Sequence, residues 1–121
     1  MTKKNTPLRI AHRGGSGLWP ENTIEAFRNA IDLGADGLEL DVHLSRDGVL
    51  VVHHDEALNP AIARDNSGKW VEKPTPRIKD LTFDELQAYD VGRLQPGTRY
   101  GERYPDQIAI DGARIPRAWM T

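Results

Sequence analysis

The apolar positions at the start of the chain form one short run that stops abruptly. Residues 8–12 are mostly apolar, and glycines follow at positions 14, 15 and 17. A short apolar run bounded by glycine is typical of a buried strand, and the glycines predict a tight loop behind it. The pattern therefore predicts a short buried strand that ends at His12.

A helical period replaces this run from about residue 23 to residue 33. The apolar residues that recur at helical spacing, and so predict the buried face, are Ile24, Phe27, Ala30 and Ile31. Asn22 can accept the first free amide hydrogens of this helix, and Glu25 lies where a reciprocal cap requires it. Gly34 is placed to end the helix in the left-handed conformation.

The period changes again after the helix, to that of β-strands. Residues 37–44 and 49–54 are largely apolar and β-branched, and Asp47 and Gly48 lie between them. Asp-Gly between two such stretches is a strong local signal for a hairpin. We therefore predict two antiparallel strands joined by a two-residue turn.

The predicted hairpin brings acidic side chains and an imidazole to one surface. Side chains alternate along a strand, so Glu39 and Asp41 project to the same face. A two-residue turn also puts Asp41 opposite His54, and it turns His53 towards the apolar side chains. A shift of one residue in register would exchange the two histidines.

The second half of the chain, residues 59–117, contains many residues that interrupt regular structure. It has five glycines, and its prolines are Pro60, Pro74, Pro76, Pro96, Pro105 and Pro116. One helix is predicted there, over about residues 83–89, with Thr82 and Glu85 as a capping box. Residues 108–110 predict a short strand.

Composition narrows the class of protein. The chain has 121 residues and a formal net charge of −2, which predicts one domain and argues against a nucleic-acid binder, since such proteins usually carry a concentrated basic face. It has no cysteine, which excludes disulfides and thiolate metal sites. No apolar run reaches the length of a membrane span. Because residues 1–7 lack the apolar centre of a signal peptide, we expect a cytoplasmic protein, or a periplasmic one if the start codon is misplaced.

Two carboxylates on one strand face are the first candidate site. Glu39 and Asp41 suit a hard cation, Ca²⁺ or Mg²⁺, which prefers oxygen ligands. Zinc is disfavoured because the chain lacks thiols and has no pair of imidazoles at a metal-binding helical spacing. A solvated strand face would explain the same two acids, but acids are poor strand formers, and His54 is expected beside them.

Three basic side chains complete the candidate chemistry. His12 and His54 could divide the acid and base roles of a proton transfer. Arg13, helped by the amides of Gly14 and Gly15, could hold a phosphate. The alternatives are structural hydrogen bonds for the histidines and a dinucleotide site at the glycine loop. The dinucleotide fingerprint is incomplete, because its third glycine would fall at position 20, which is a proline.

Six linked motifs stand in one order over residues 8–58. They are His12-Arg13-Gly14, Pro20-Glu21-Asn22-Thr23, Gly34-Ala35-Asp36, Glu39-Leu40-Asp41-Val42, Asp47-Gly48 and Val51-Val52-His53-His54-Asp55. In order and spacing this set resembles the glycerophosphodiester phosphodiesterases. The resemblance continues more loosely to residue 116.

The resemblance implies a metal-dependent hydrolase with a phospholipase-C-like (β/α)₈ barrel. Its small-molecule substrate would be a glycerophosphodiester, cleaved to glycerol 3-phosphate and an alcohol through a cyclic phosphate. By motif position, His12 and His54 would be the acid/base pair and Arg13 would contact the phosphate. Glu39 and Asp41 would bind the divalent cation.

The chain departs from this family in length. A (β/α)₈ barrel typically has about 250 residues, whereas this chain has 121. The family also takes a further carboxylate ligand from a strand after a motif like Ile115-Pro116, where little sequence remains. We therefore expect an α/β fold that is a partial, apparently truncated TIM-type barrel. Residues 8–58 would be the barrel start, and residues 59–117 an insertion resembling a lid.

Three interpretations follow from this length. The chain is the amino-terminal portion of an enzyme, a catalytically inactive truncated remnant, or a small module that binds metal or phosphate without turnover. The resemblance favours an enzyme by descent. The sequence carries no signal for the preferred headgroup or the oligomeric state.

Overall fold

A βαβ unit forms the first part of the molecule. In the computed structural model, which describes residues 7–118, strand β1 (Ile10–Ala11) pairs in parallel with strand β2 (Gly37–Leu38). Helix α1 (Ile24–Asp32) lies between them in the chain, as a parallel pair requires of its crossover. Because β1 and β2 run in the same direction, their carboxyl ends lie side by side.

Helix α1 begins one residue later than predicted. Its N-cap is Thr23, whose hydroxyl accepts a hydrogen bond from Ala26 N at 3.1 Å. Asn22, the predicted cap, has a φ of +55°, whereas an N-cap residue is typically extended. The buried residues of the helix are Ala26, Phe27 and Ala30. Ile31 was predicted to be buried, and it is exposed.

The predicted hairpin is present, but its loop is longer. Strands β3 (Val42–Leu44) and β4 (Leu50–Val52) pair antiparallel. Ser45 N donates to Val49 O at 2.9 Å, so the loop between them holds three residues instead of two. The last loop residue is Gly48, with a φ of +79°, and a left-handed residue at this position is characteristic of three-residue hairpin loops.

The extra loop residue shifts the register by one. His43 pairs with Val51, and continuing the ladder puts Asp41 opposite His53, not opposite His54. His53 N accordingly donates to Asp41 O at 3.0 Å. The predicted pairing of Asp41 with His54 is therefore wrong, and the hairpin alone gives no reason to group His54 with the acids.

The second half of the chain contains less regular structure than the first. A 3₁₀ turn (Ile78–Asp80) precedes helix α2 (Phe83–Leu86), which ends three residues before the predicted end at residue 89. The predicted capping box is confirmed. Glu85 N donates to the Thr82 hydroxyl at 3.1 Å, and Thr82 N donates to the Glu85 carboxylate at 2.8 Å.

Two features of this half differ from the prediction. Helix α3 (Arg99–Glu102) was not predicted; the Thr98 hydroxyl caps its first turn. Residues 108–110 were predicted as a strand, and they form none. The amides of residues 108 and 110 instead donate to the carbonyls of Leu18 and Gly92, both at 2.8 Å.

The hydrophobic core lies mostly in the second half of the chain. Its buried members are Val51, Leu58, Ile62, Ala63, Ile78, Leu86, Val91 and Ile115. Residues 59–117 thus supply most of the buried apolar volume of this cluster. The first strand, predicted to be buried, instead exposes Leu8 and Ile10 by 66% and 56%.

The hairpin also carries an apolar outer face. Leu40, Val42 and Leu44 alternate along the chain, and they are 40%, 42% and 58% exposed. Because strand side chains alternate, the same alternation turns Asp41 and His43 to the opposite face. Within residues 7–118, none of the helices has the length and hydrophobicity needed to cross a membrane.

Candidate functional site

The candidate site lies where strands β1, β2 and β4 end. His12 and Arg13 follow β1 directly, Glu39 follows β2, and His53 and His54 follow β4. Residues that follow strands carry the chemistry in parallel β/α folds, because loops there can present side chains from a fixed scaffold.

The loop after β1 has an unusual backbone. Arg13 has a φ of +51° and Asn22 a φ of +55°, a region that side chains other than glycine seldom adopt. Asn22 N donates to Arg13 O at 2.8 Å, which joins the two residues. Two such residues in direct contact indicate a backbone held in place by its surroundings, as is common at functional sites.

Close packing against helix α1 fixes this loop. Gly14 has a φ of +78°, and a Cβ at this position would lie 2.7 Å from Cδ1 of Phe27. Only glycine allows the loop to approach the helix so closely. The backbone on either side of Arg13 is therefore positioned by a buried aromatic ring.

The Arg13 guanidinium is bound by two side chains from different parts of the chain. Its Nη1 donates to the Glu21 carboxylate at 3.2 and 3.3 Å, and to the Tyr100 hydroxyl at 2.8 Å. The Tyr100 hydroxyl donates in turn to Glu21. Glu21 is buried, so its charge requires this compensation.

The pKa values of this group reflect burial opposed by charge. Burial alone would lower the pKa of Arg13, but the negative charge of Glu21, together with Tyr100 and Asp41, raises it overall. Burial, and then the hydrogen bond to Glu21, raise the pKa of the Tyr100 hydroxyl far above its ordinary value. Arg13 therefore stays charged and Tyr100 stays protonated at neutral pH.

Both predicted metal ligands lie beside Arg13. Glu39 Oε1 accepts from Arg13 N at 3.0 Å, and Asp41 Oδ2 lies 3.7 Å from Arg13 Nε. Asn22 Nδ2 donates to the same Asp41 oxygen at 3.3 Å. The structure thus brings together three of the five predicted site residues, Arg13, Glu39 and Asp41.

The oxygens around these acids fit a hard cation. Within residues 7–118 no hydrogen bond reaches the second carboxylate oxygen of Glu39 or of Asp41. Asn22 Oδ1 is buried and has no partner among the described residues. Carboxylate and amide oxygens are the ligands that Ca²⁺ and Mg²⁺ take. Among the same residues no group of three or more acidic, histidine or cysteine side chains is arranged to hold a metal.

His54 is oriented by neighbours other than the two acids. Its Nδ1 donates to Asp55 Oδ1 at 2.7 Å, and Asp55 Oδ2 accepts from Asn59 Nδ2 at 2.8 Å. His43 Nε2 lies 2.9 Å from the carbonyl of His54 and donates to it. The bond to Asp55 leaves Nε2 of His54 available for proton transfer. The side chain is 41% exposed, so a substrate could reach it.

His53 is buried beside the acids although no role was predicted for it. Its Nε2 has no hydrogen-bond partner among the described residues. Burial lowers the pKa of His53 to about 4, opposed by the charge of Asp55. His53 is therefore buried in the neutral form at pH 7.

His12 stands apart from the contacts of Arg13. It is exposed, and within the described chain its side chain makes no hydrogen bond. Its carbonyl accepts from Gly15 N at 2.8 Å, which closes the loop. The side chain lines an open, apolar groove of about 430 Å³, together with Trp19 and Leu33. The catalytic roles of His12 and His54 stay predictions.

Three residues of the site were not identified from the sequence. Asn22 was expected to cap the helix, and Glu21 was named only within the motif Pro20-Glu21-Asn22-Thr23. An acid next to proline in a predicted loop could have been recognised as a partner for Arg13. Tyr100 has no sequence signal, because it lies 87 positions from Arg13 in a segment without a regular pattern.

The chain is similar to known proteins over most of its length. The profile of the Glycerophosphoryl diester phosphodiesterase family matches residues 12–117. A glycerophosphodiester phosphodiesterase from Caldanaerobacter subterraneus subsp. tengcongensis is 43% identical over 109 residues, covering 90% of this chain and 36% of that protein.

The chain is also similar to solved structures of phosphodiesterases. A candidate glycerophosphoryl diester phosphodiesterase from Silicibacter pomeroyi superimposes with a TM-score of 0.90 at 40% identity, over 94% of this chain and 39% of that one. An Oleispira antarctica phosphodiesterase, solved in complex with the product sn-glycerol-3-phosphate, gives a TM-score of 0.62 at 30% identity, over 93% and 37%.

These relatives are much longer than this chain, which spans 36–39% of their length. The match nevertheless extends over nearly all of the chain and includes every residue of the site described above. The chain belongs to the Glycerophosphoryl diester phosphodiesterase family.

Proposed function

We propose that this chain carries the first part of a phosphodiesterase site, which hydrolyses glycerophosphodiesters to glycerol 3-phosphate and an alcohol. The observation that supports this most is the convergence of Arg13, Glu39 and Asp41 behind neighbouring parallel strands. Such a group supplies both charges that a phosphodiester needs, a fixed cation for its oxygens and carboxylates for a metal ion.

Arg13 would hold the phosphate. A guanidinium has five N–H donors, and the contacts to Glu21 and Tyr100 use only Nη1. Nε of Arg13 is buried and has no hydrogen-bond partner within residues 7–118. Donors therefore remain for phosphate oxygens, and the raised pKa of Arg13 keeps the group charged.

Glu39, Asp41 and the amide oxygen of Asn22 would hold a divalent cation, Ca²⁺ or Mg²⁺. The cation would neutralise negative charge on the phosphoryl oxygens during the reaction. Glu39 and Asp41 each have an oxygen without a hydrogen bond among the described residues, and Asn22 has a buried one. A cation there would also reduce the attraction between Asp41 and Arg13.

His12 and His54 would move protons. One imidazole would take the proton of the glycerol hydroxyl next to the phosphate as that oxygen attacks phosphorus. The other would give a proton to the departing alcohol, leaving a cyclic phosphate that water then opens with the two roles reversed. The hydrogen bond to Asp55 supports this for His54, because it fixes the tautomer and leaves Nε2 available.

The same proposal includes the fold of the whole domain, a (β/α)₈ barrel of which this chain would form the start. The parallel β1–α1–β2 unit is the repeat from which a (β/α)₈ barrel is built. The exposed outer faces of β1 and β3 are apolar, as expected where further barrel elements pack in the longer relatives. Residues 8–58 would then form the barrel start, and residues 59–117 would lie over the carboxyl ends of its strands.

An assay of glycerol 3-phosphate release from glycerophosphocholine tests the function, in the protein that carries this chain and with Ca²⁺ or Mg²⁺ added. We expect His12→Gln and His54→Gln each to lower the rate by about 100-fold or more, the range for loss of an acid–base group. Glu39→Gln, which removes a charged oxygen from the proposed cation site, should also lower the rate. Asp106→Asn removes an exposed carboxylate elsewhere and should leave the rate unchanged.

Each outcome has a defined meaning. Rates within twofold of wild type for His12→Gln and His54→Gln would refute the proton-transfer roles. Binding of glycerol 3-phosphate by the wild-type protein, without any release of product from the diester, would instead identify a binding module without turnover. The longer relatives make the enzyme the better supported of the two.

A further inference from the structure

We infer that Tyr100 is a positioning residue for Arg13, the proposed phosphate-binding arginine. Helix α3, which contains Tyr100, is then part of the site. The hydroxyl of Tyr100 accepts from Arg13 Nη1 and donates to Glu21. This inference rests on the proposed function, because it assumes that Arg13 binds the phosphate. Through this contact Tyr100, a residue of the second half of the chain, holds the side chain of Arg13 directly.

The Tyr100 hydroxyl fixes the orientation of the Arg13 guanidinium, which Glu21 alone would leave variable. Glu21 receives both Arg13 contacts through the single nitrogen Nη1, at 3.2 and 3.3 Å, so the pair is not a two-nitrogen fork. A carboxylate pair of this kind leaves the guanidinium free to turn towards a two-nitrogen contact with Glu21. The Tyr100 hydroxyl bonds to both groups, and its contact with Nη1 at 2.8 Å gives this nitrogen a second fixed partner.

The direction of the guanidinium decides what Arg13 can bind. While Nη1 is held by Glu21 and Tyr100, the opposite edge of the group carries Nε, which is free of hydrogen bonds among the described residues and lies 3.7 Å from Asp41 Oδ2. Turning the group to form a fork with Glu21 would withdraw donors from that edge. Tyr100 thereby keeps donors of Arg13 directed to the side where Asp41 lies.

The position of Tyr100 is built into the local structure of helix α3. The Thr98 hydroxyl accepts from Gly101 N at 3.0 Å and donates to Gln95 O at 2.8 Å, which closes the turn. A Cβ at Gly101 would lie 2.4 Å from the Gln95 oxygen, so this turn requires glycine. The ring of Tyr104 packs edge-on against Tyr100, with centroids 5.5 Å apart. These contacts give the tyrosine ring a defined position from which to reach Arg13.

A purely structural role for Tyr100 makes a different prediction. If the tyrosine only joined the two halves of the chain, its loss would change stability and leave the guanidinium and its ligand unaffected. A positioning role requires that Tyr100→Phe change Arg13 itself while the fold is retained. Tyr104→Phe is the matched control, because no hydrogen bond of its hydroxyl is present within residues 7–118.

The first measurement reads Arg13 directly, without any ligand. In ¹⁵N-labelled protein, the Nε–Hε signal that disappears in Arg13→Lys belongs to Arg13. We expect Tyr100→Phe to move this signal towards those of exposed arginines, and Tyr104→Phe to leave it in place. An Arg13 signal that is unchanged in Tyr100→Phe would overturn the inference, whether or not the protein binds phosphate.

The second measurement titrates the same three samples with glycerol 3-phosphate. We expect Tyr100→Phe to weaken binding by about fivefold, which is the effect of one lost hydrogen bond, and Tyr104→Phe to stay within twofold of wild type. Equal affinity of Tyr100→Phe and wild type would also overturn the inference. Wild-type protein that binds no glycerol 3-phosphate would refute the phosphate role of Arg13, and with it the link of Tyr100 to phosphate binding.

Discussion

Arg13 is the residue on which the contacts of the site converge. Its side chain bonds to Glu21 and Tyr100, its amide bonds to Glu39, and its carbonyl accepts from Asn22. Arg13 has a left-handed backbone, with a φ of +51°. In this conformation its amide reaches Glu39 while its side chain reaches Glu21. The strain of that conformation is offset by hydrogen bonds that satisfy a charged group.

The buried His53 makes the unfolding free energy of the chain depend on pH. Its folded pKa is about 4, below the ordinary 6.5, because burial disfavours the charged form. Above pH 6.5 both states are neutral and its contribution is complete. As pH falls towards 4, the unfolded state takes up a proton that the folded state refuses, and stability is lost.

The expected loss follows from the size of this shift. Between pH 7 and pH 4 wild type should lose about 3 kcal/mol more unfolding free energy than His53→Gln, at about 1.36 kcal/mol per pKa unit. Urea titrations of both proteins over this range provide the comparison. Other groups that face His53, namely Asp55, His43, His54 and Asp41, remain in both proteins. Parallel pH profiles for the two proteins would contradict a buried neutral histidine.

Some residues could be predicted from the sequence because their roles are local. Gly34 and Gly48 both have a positive φ, as their positions after a helix and in a hairpin loop require. Asn22 was assigned to a cap because its neighbours resemble one. Its actual contacts, with Arg13 and Asp41, depend on parts of the chain that are distant in sequence. Tyr100 escaped prediction for the same reason.

At the level of elements, helix α2 depends on its capping box. Thr82→Ala removes the hydroxyl that accepts from Glu85 N, and it should lower the unfolding free energy by about 1 kcal/mol. The effect should be visible globally, because α2 carries the buried core residue Leu86. Thermal unfolding followed by circular dichroism measures it.

The corresponding cap of helix α3 provides the control. Thr98→Ala removes the hydroxyl that accepts from Gly101 N and donates to Gln95 O, but α3 contains no buried residue. We expect it to cost at most about 0.5 kcal/mol, the low end for cap removal. Equal losses for Thr82→Ala and Thr98→Ala would contradict the view that α2, which buries Leu86, contributes more to the core than α3, whose Tyr100 is only partly buried against it.

Elements whose period is strong in the sequence were predicted, but the hairpin register and the pairing of β2 with β1 were not. Helix α1 and the hairpin follow from apolar spacing and from Asp47-Gly48. The stretch over residues 37–44 was treated as one strand, yet it divides into β2, which pairs with β1, and β3, which pairs with β4. The loop closure by Ser45 shifted the hairpin register, since its hydroxyl accepts from Val49 N at 3.0 Å and so stabilises a longer loop.

For the molecule as a whole, stability should depend on the second half of the chain. Leu86 is completely buried in the core, so Leu86→Ala should cost about 2–5 kcal/mol. Ile108 lies in the same half and is 63% exposed, so Ile108→Ala should cost less than about 0.5 kcal/mol. Urea unfolding distinguishes the two. Similar losses would contradict the core described here.

The location of this core was the largest difference from expectation. Its members in residues 59–117 are scattered between prolines and glycines, and they show neither strand nor helix period. They come together through loops, for which sequence patterns contain little information. The apolar run over residues 8–12 led to the opposite error. Among residues 7–118 this strand pairs only with β2, and Leu8 and Ile10 are exposed.

A crystal structure with glycerol 3-phosphate and Ca²⁺ would show whether Arg13, Glu39 and Asp41 form a site for phosphate and a cation. We expect phosphate oxygens within hydrogen-bond distance of the Arg13 guanidinium, and Ca²⁺ bound by oxygens of Glu39 and Asp41. Phosphate bound elsewhere, with the Arg13 guanidinium still hydrogen-bonded only to Glu21 and Tyr100, would show that these residues do not form such a site.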